Sequence, residues 1–208
     1  MKIVQLVKQL NNTELGKGGT HDTYVLIPNE LEINDIFESV NSPVEFIDYD
    51  SKEIVTVRHT MGREKRIVGL GNYYRTKGLS AGDELILERR TSHLSDKFII
   101  RVRKFDNCLV FQKAKAGFEI LTPERLKIAE SWSRHLNGSF SVDFLTSARK
   151  RNDSPETTDF YNIVVEGKSI LNSYLGKEIG LLTLKDNRIK VSNFYGWKKY
   201  EIEMEDQA

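Results

Sequence analysis

One cysteine in 208 residues rules out a disulfide within the chain. Cys108 sits in an apolar CLVF context and reads as a small core residue rather than a nucleophile. No apolar run approaches the ~18 residues that cross a bilayer, and the start MKIVQLVKQLNNTE has no signal-peptide h-region. A soluble, cytoplasmic protein of bacterial type, with no membrane partner, is therefore expected. Also missing are HExxH, paired Cys/His zinc spacing, a nucleophile elbow, internal repeats and low-complexity linkers. The glycine-rich segment ELGKGGTHDT lacks the ending and spacing of a phosphate-binding P-loop.

Strong net charge is absent too, at +1, but its distribution is uneven. Residues 1–57 carry four Lys+Arg against ten Asp+Glu, residues 58–115 fourteen against six, and residues 116–208 thirteen against fourteen. A basic middle between acidic and neutral ends points to a polyanionic partner. Its densest part is residues 58–77, RHTMGREKRIVGLGNYYRTK, with Arg58, His59, Arg63, Lys65, Arg66, Arg75 and Lys77 broken by Gly62, Gly69, Gly71 and the pair Tyr73 and Tyr74. Cations on flexible backbone beside planar groups suit phosphates and base edges; a solvated loop is the other reading.

Along the chain, MKIVQLVKQL is compatible with a first strand. Residues 14–23, with Lys17, Thr20 and His21 among three glycines, form either a contact arm or a hairpin connection. TYVLIP reads as a strand and NDIFESV as a short helix capped by Asn34, with Ile36, Phe37 and Val40 on one face. PVEFIDYDSKEIVTVR is a hairpin that leads into the basic stretch, placing the cations on a connection emerging from a sheet. Strands follow at 84–87, in KFIIRVRKF with Arg101 and Arg103 on a wet face, and in NCLVFQK. Several short strands with few helices indicate a small, open β-barrel over residues 1–115. From 116 to 208 the pattern becomes α+β: a helix starting at Thr122 and Pro123 and ended by Gly138, a strand FSVDFL, a charged loop with Arg149-Lys150-Arg151, a strand FYNIVVEG, a hairpin about Asp186-Asn187, and a last strand with an acidic tail. The boundary is expected at 113–117. His59, His93 and His135 read as scattered surface histidines.

Three segments in order, GKGGTHDTYVLIP, GREKRI and LGNYYRTKGLSAGDELIL, resemble the B3-type DNA-recognition fold of plant transcription factors and of EcoRII-like restriction endonuclease effector domains. The first resembles that family's glycine-rich arm, the second the restriction branch's cationic arm, and the third a strand signature shared across the fold. The resemblance covers about residues 1–105 and implies a mainly β pseudobarrel that grips the major groove of double-stranded DNA with two arms. Lys17, Thr20, His21 and Asp22 would form one arm and Glu64, Lys65 and Arg66 the other, with Arg58, Arg63, Asn72, Tyr73, Arg75 and Lys77 completing the DNA-binding set. Gly62 stands where the restriction branch has a basic residue, with Arg63 one position later, so base preference does not transfer.

In chemical terms Arg63 or Arg66 suits guanine O6 and N7, while Glu64 either accepts from cytosine N4 or orients its neighbours' guanidinia. Lys65, Lys77 and Arg58 suit phosphates, and Tyr73 and Tyr74 suit packing at the base of the arm. A restriction-linked module implies a nuclease or NTPase partner, as a domain or a subunit, and needs no cofactor to bind. The alternative is a compact endonuclease using Asp159, Glu166 and Lys168 with Mg²⁺; a transcriptional regulator of the same fold is a further alternative.

Overall fold

The computed structural model describes residues 1–17, 23–149 and 156–204. Two compact units emerge, one made of Met1–Lys104 with Tyr195–Ala208 and the other of Phe105–Phe194. The chain thus leaves the first unit about ten residues before the expected boundary at 113–117 and comes back to it at the end. A register of antiparallel pairs between the first and last strands draws it back, and local patterns do not signal such a long-range pairing.

In the first unit, β1 (Lys2–Gln9), β2 (Tyr24–Ile27), β3 (Pro43–Asp48), β4 (Ile54–Met61), β5 (Lys65–Val68), β6 (Glu84–Thr91), β7 (Asp96–Arg103) and the final strand β15 (Trp197–Glu203) form one sheet. Their order is β15-β1-β6-β7-β3-β4-β5-β2, antiparallel except where β3 meets β7. The two outermost strands approach each other, and the Trp197 indole N–H of β15 donates to the Leu26 carbonyl of β2 at 2.8 Å. That bond partly closes the curled sheet, which has the mainly β, open-barrel architecture that the B3 resemblance implies. One helix, α1 (Gly71–Lys77), follows β5. Leu6, Leu10, Val25, Ile36, Phe37, Phe46, Val57, Ile67, Leu85 and Ile100 fill the interior.

The structure departs from three local expectations. Residues 34–36 make a single turn, not a helix: Ile36 and Phe37 are buried but Val40 is 42% exposed, and so short a segment gains too little from helical hydrogen bonds to form one. The basic stretch is not a loop, because β4 runs through Met61 and returns as β5, leaving only residues 62–64 to turn. The cationic face of β7 is not left to water alone. Arg103 pairs with buried Glu84 at 2.9 Å and Arg101 with buried Glu88 at 3.6 Å, two carboxylates supplied by β6.

The second unit contains β8 (Cys108–Ala114), β9 (Gly117–Ile120), α2 (Leu126–His135), β10 (Phe140–Arg149), β11 (Thr157–Val165), the two-residue β12 (Lys168–Ser169), β13 (Ile179–Lys185) and β14 (Arg188–Asn193). Sheet order is β10-β11-β9-β8-β13-β14, with β12 on β11. Ala129 and Trp132 of α2 pack with Phe111, Phe118, Phe140 and Ile163. The helix begins later than the Thr122-Pro123 signal suggests, since Pro123–Arg125 is a 3₁₀ turn and the Thr122 hydroxyl instead accepts from Val110 N–H at 3.0 Å. Cys108 is buried, as expected.

Candidate nucleic-acid interface

The cationic hairpin is built from alternation. In antiparallel pairs, directly opposed residues share a face. Tyr24, Val68 and Arg58 line up across β2, β5 and β4, as do Leu26, Arg66 and Thr60. Between those rows Val25, Ile67 and His59 turn inward and are buried. Alternation along β4 and β5 thus lets one side seal the core while the other presents Arg58 and Arg66; Lys65, opposite Ile27 and Met61, ends the inward row at its rim. At the tip, Gly62 N–H donates to the Glu64 carbonyl at 3.2 Å, closing the turn that carries exposed Arg63.

Arg66 is held on two sides. Its guanidinium carbon lies 4.1 Å from the centroid of the Tyr24 ring, and its Nε and Nη2 donate to Glu64 Oε2 at 3.2 and 2.8 Å. Stacking on the ring fixes the plane of the fork and the carboxylate fixes its rotation. Glu64 therefore orients the guanidinium in this structure. Among the described residues, Arg58, Arg63, Lys65 and Arg75 form no ion pair. No described residue neutralises their charge, in contrast to Arg101 and Arg103.

Thr20, His21 and Asp22, with Gly18 and Gly19, lie outside the described residues. Their flanks are placed. Exposed Lys17 donates to the Leu79 carbonyl at 3.1 Å, and Thr23 packs onto the first residue of α1. A Cβ on Gly71 would come within 2.4 Å of Thr23 Oγ1, so only glycine permits this approach. Tyr24 pairs with Val68 at one end of β2, and Ile27 with Lys65 at the other. Thr23, which leads into β2, and the 62–64 turn, next to Lys65, therefore lie beside opposite ends of this short edge strand, about 10 Å long.

Helix α1 divides the remaining predicted residues. Asn72 and Arg75 are exposed, whereas the ring of Tyr73 is buried with that of Tyr74 in the core. Lys77, expected on a phosphate, pairs with Asp48 at 2.9 Å and Asp50 at 3.5 Å, with only 16% of its side chain exposed. Asp48 also accepts from the Asp50 and Ser51 N–H groups at 2.8 Å each, which fixes the β3–β4 turn. Burial alone would raise the Asp48 carboxyl. The Ser51 N–H, the Lys77 ammonium, the Tyr73 hydroxyl and the Asp50 N–H outweigh burial and hold it at about 2. Burial, and then Asp48, push the Tyr73 hydroxyl well up. Asp48, Ser51, Tyr73 and Lys77, with Asn72, Thr56 and Thr76, line a cleft of about 210 Å³ beside α1. His59 is buried rather than on the surface, its ring 6.3 Å from that of Phe37, and burial followed by the Lys65 charge lowers its pKa.

The structure does not bring Asp159, Glu166 and Lys168 together. Asp159 lies near the start of β11 and takes a hydrogen bond from the Ser147 hydroxyl at 2.5 Å. Glu166 follows the end of the same strand, roughly 20 Å further along at the rise of an extended chain. Glu166 and Gly167, with φ of 50° and 74°, form a two-residue hairpin turn, and Lys168 pairs with Val165 across it. The E-x-K tripeptide thus forms a tight turn. No group of three or more potential metal-ligating His, Cys, Asp or Glu side chains occurs among the described residues. No helix there is long and apolar enough to cross a membrane.

Sequence reasoning missed Tyr24, which supports Arg66, and Thr60, whose hydroxyl donates to the Arg66 carbonyl at 3.5 Å. Neither carries a local signal, since both meet Arg66 only through the strand register. No family model matches the chain, and no curated protein matches it. Among solved structures, the chain is similar to the Arabidopsis FUS3-DNA complex, at 18% identity and a TM-score of 0.35, over 47% of this chain and 94% of that one. It is also similar to the N-terminal domain of Helicobacter pylori LlaJI.R1, at 15% identity and a TM-score of 0.35, over 50% of this chain and 82% of that one.

Proposed function

We propose that this chain is a double-stranded DNA recognition module of a restriction system, holding the duplex against the outer face of β4, β5 and β2. The observation that carries the reading is the state of the hairpin's cations: Arg58 on the outer face and Arg63 at the turn form no ion pair among the described residues, while Arg66 is oriented by Tyr24 and Glu64. Unpaired cations on a rigid edge supply the phosphate contacts that position a duplex. A guanidinium fork whose plane and rotation are set in advance loses little entropy on meeting the two acceptors of guanine in the major groove. The restriction assignment rests on the GREKRI segment and its resemblance to the restriction branch of the B3 family. Target selection is the role assigned to this chain, and cleavage or translocation falls to a nuclease or NTPase partner.

Selection of bound duplexes from a random pool tests the proposal. The wild type enriches a short consensus, and Arg66→Ala loses at least one specified base pair while still retaining duplex. A pool that shows no enrichment, or the same consensus from Arg66→Ala, overturns it.

A further inference from the structure

We infer that the second unit carries its own phosphate-backbone contact surface, formed by Lys185, Arg188 and Lys190 on the outer face of the β13–β14 hairpin. The inference rests on the proposed duplex-binding function and extends it to a unit that the B3 resemblance does not reach. Lys185 stands opposite Arg188 and Thr183 opposite Lys190, so the three cations share one face. Leu182, Leu184, Ile189 and Val191 occupy the other face and pack into the core. Asp186 and Asn187, with φ of 51° and 58°, form a tight two-residue turn, and Asn187 Oδ1 lies 2.8 Å from His135 Nε2 at the end of α2. The stripe is therefore displayed on a fixed support.

Among the described residues nothing compensates its charge. None of the three cations forms an ion pair among the described residues, and all are exposed. Like charges directly opposite on paired strands destabilise the pair. Where cations line a strand face in the first unit, as Arg101 and Arg103 do, the neighbouring strand supplies Glu84 and Glu88 to meet them. Here the neighbouring strand supplies Thr183 in place of a carboxylate. Arg134 lies in the last turn of α2, where its charge offsets the helix dipole, and it is left out of the surface. A phosphodiester backbone relieves the repulsion and needs no base-specific group, which the stripe does not offer.

The test uses the full chain. Binding of a labelled random-sequence duplex is followed by anisotropy across a salt series for the wild type, for Lys185→Ala/Arg188→Ala/Lys190→Ala and for Thr183→Ala, an uncharged change on the same face. The slope of log K against log salt falls in magnitude by up to about 2.7 in the triple variant, at ~0.9 for each phosphate no longer neutralised, and the weakening is equal for all sequences. Thr183→Ala keeps the wild-type slope. If the triple variant binds with an unaltered slope but aggregates, its cations guard an edge strand and the inference fails alone. A wild type that binds no duplex overturns the function on which it rests.

Discussion

The guanidinium of Arg66 lies 4.1 Å above the ring of Tyr24, a contact made only because β5 pairs with β2. Under the proposed function, the pair makes Tyr24 part of the recognition surface without a contact to a base. Arg66→Lys keeps the charge but loses the fork and the stack, and it lowers affinity for the selected site by about 1–3 kcal/mol with little change on random duplex. Tyr24→Leu costs about 1 kcal/mol on the selected site, and the two effects are less than additive in a double-mutant cycle. Anisotropy titrations on both duplexes measure each quantity.

Glu64 separates orientation from charge. Removing its carboxylate with Glu64→Gln releases Arg66 and makes the hairpin more cationic. Affinity for random duplex rises by about threefold at low salt, the Coulomb effect of one exposed charge, while the preference for the selected site shrinks. Filter binding at two salt concentrations shows both changes.

Lys77 pairs with buried Asp48, and its expected effect is on stability. Replacing it with Met leaves Asp48 buried without its cation and costs about 3 kcal/mol of folding free energy. The salt slope of duplex binding stays at the wild-type value. Denaturant unfolding and salt titration of the same preparation separate the two roles.

Asp48 gives the fold an acid limit. Its folded pKa lies near 2, below the ordinary carboxylate value of 3.8, so the stabilisation is complete above about pH 4 and is lost as pH falls from there towards 2. The difference corresponds to about 2 kcal/mol at neutral pH. Asp48→Asn lowers the melting temperature at pH 7, and the gap from wild type closes progressively between pH 4 and 2. Thermal melts across that range follow it.

Gly71 sets the approach of Thr23 to the start of α1. Gly71→Ala drives a methyl into Thr23 Oγ1 and destabilises the fold by about 1–3 kcal/mol, as overpacking does. Thr23→Ala removes that oxygen, and the double variant recovers most of the stability in calorimetry.

Local patterns made much of the fold legible. Strand runs such as YVLI, FYNIVV and the hairpin about Asp186-Asn187 appear where alternation and turn chemistry place them. The same patterns carry no sign that β15 returns to β1, because pairing across nearly the whole chain leaves no trace in neighbouring residues. At the site, the cations were visible as composition, but their division was not. Lys77 is neutralised by Asp48, twenty-nine positions earlier, whereas Arg63 and Lys65 have no ion-pair partner among the described residues. Spacing marked Asp159 and Glu166 as candidates, and the extended strand between them holds the two carboxylates apart.

The central claim, that the outer face of the β4–β5 hairpin holds duplex DNA, is tested most directly by the salt dependence of Arg58→Ala/Arg63→Ala. The account predicts that the slope of log K against log salt drops in magnitude by about 1.8, two phosphate contacts at ~0.9 each. A double variant whose slope and affinity match the wild type would contradict it.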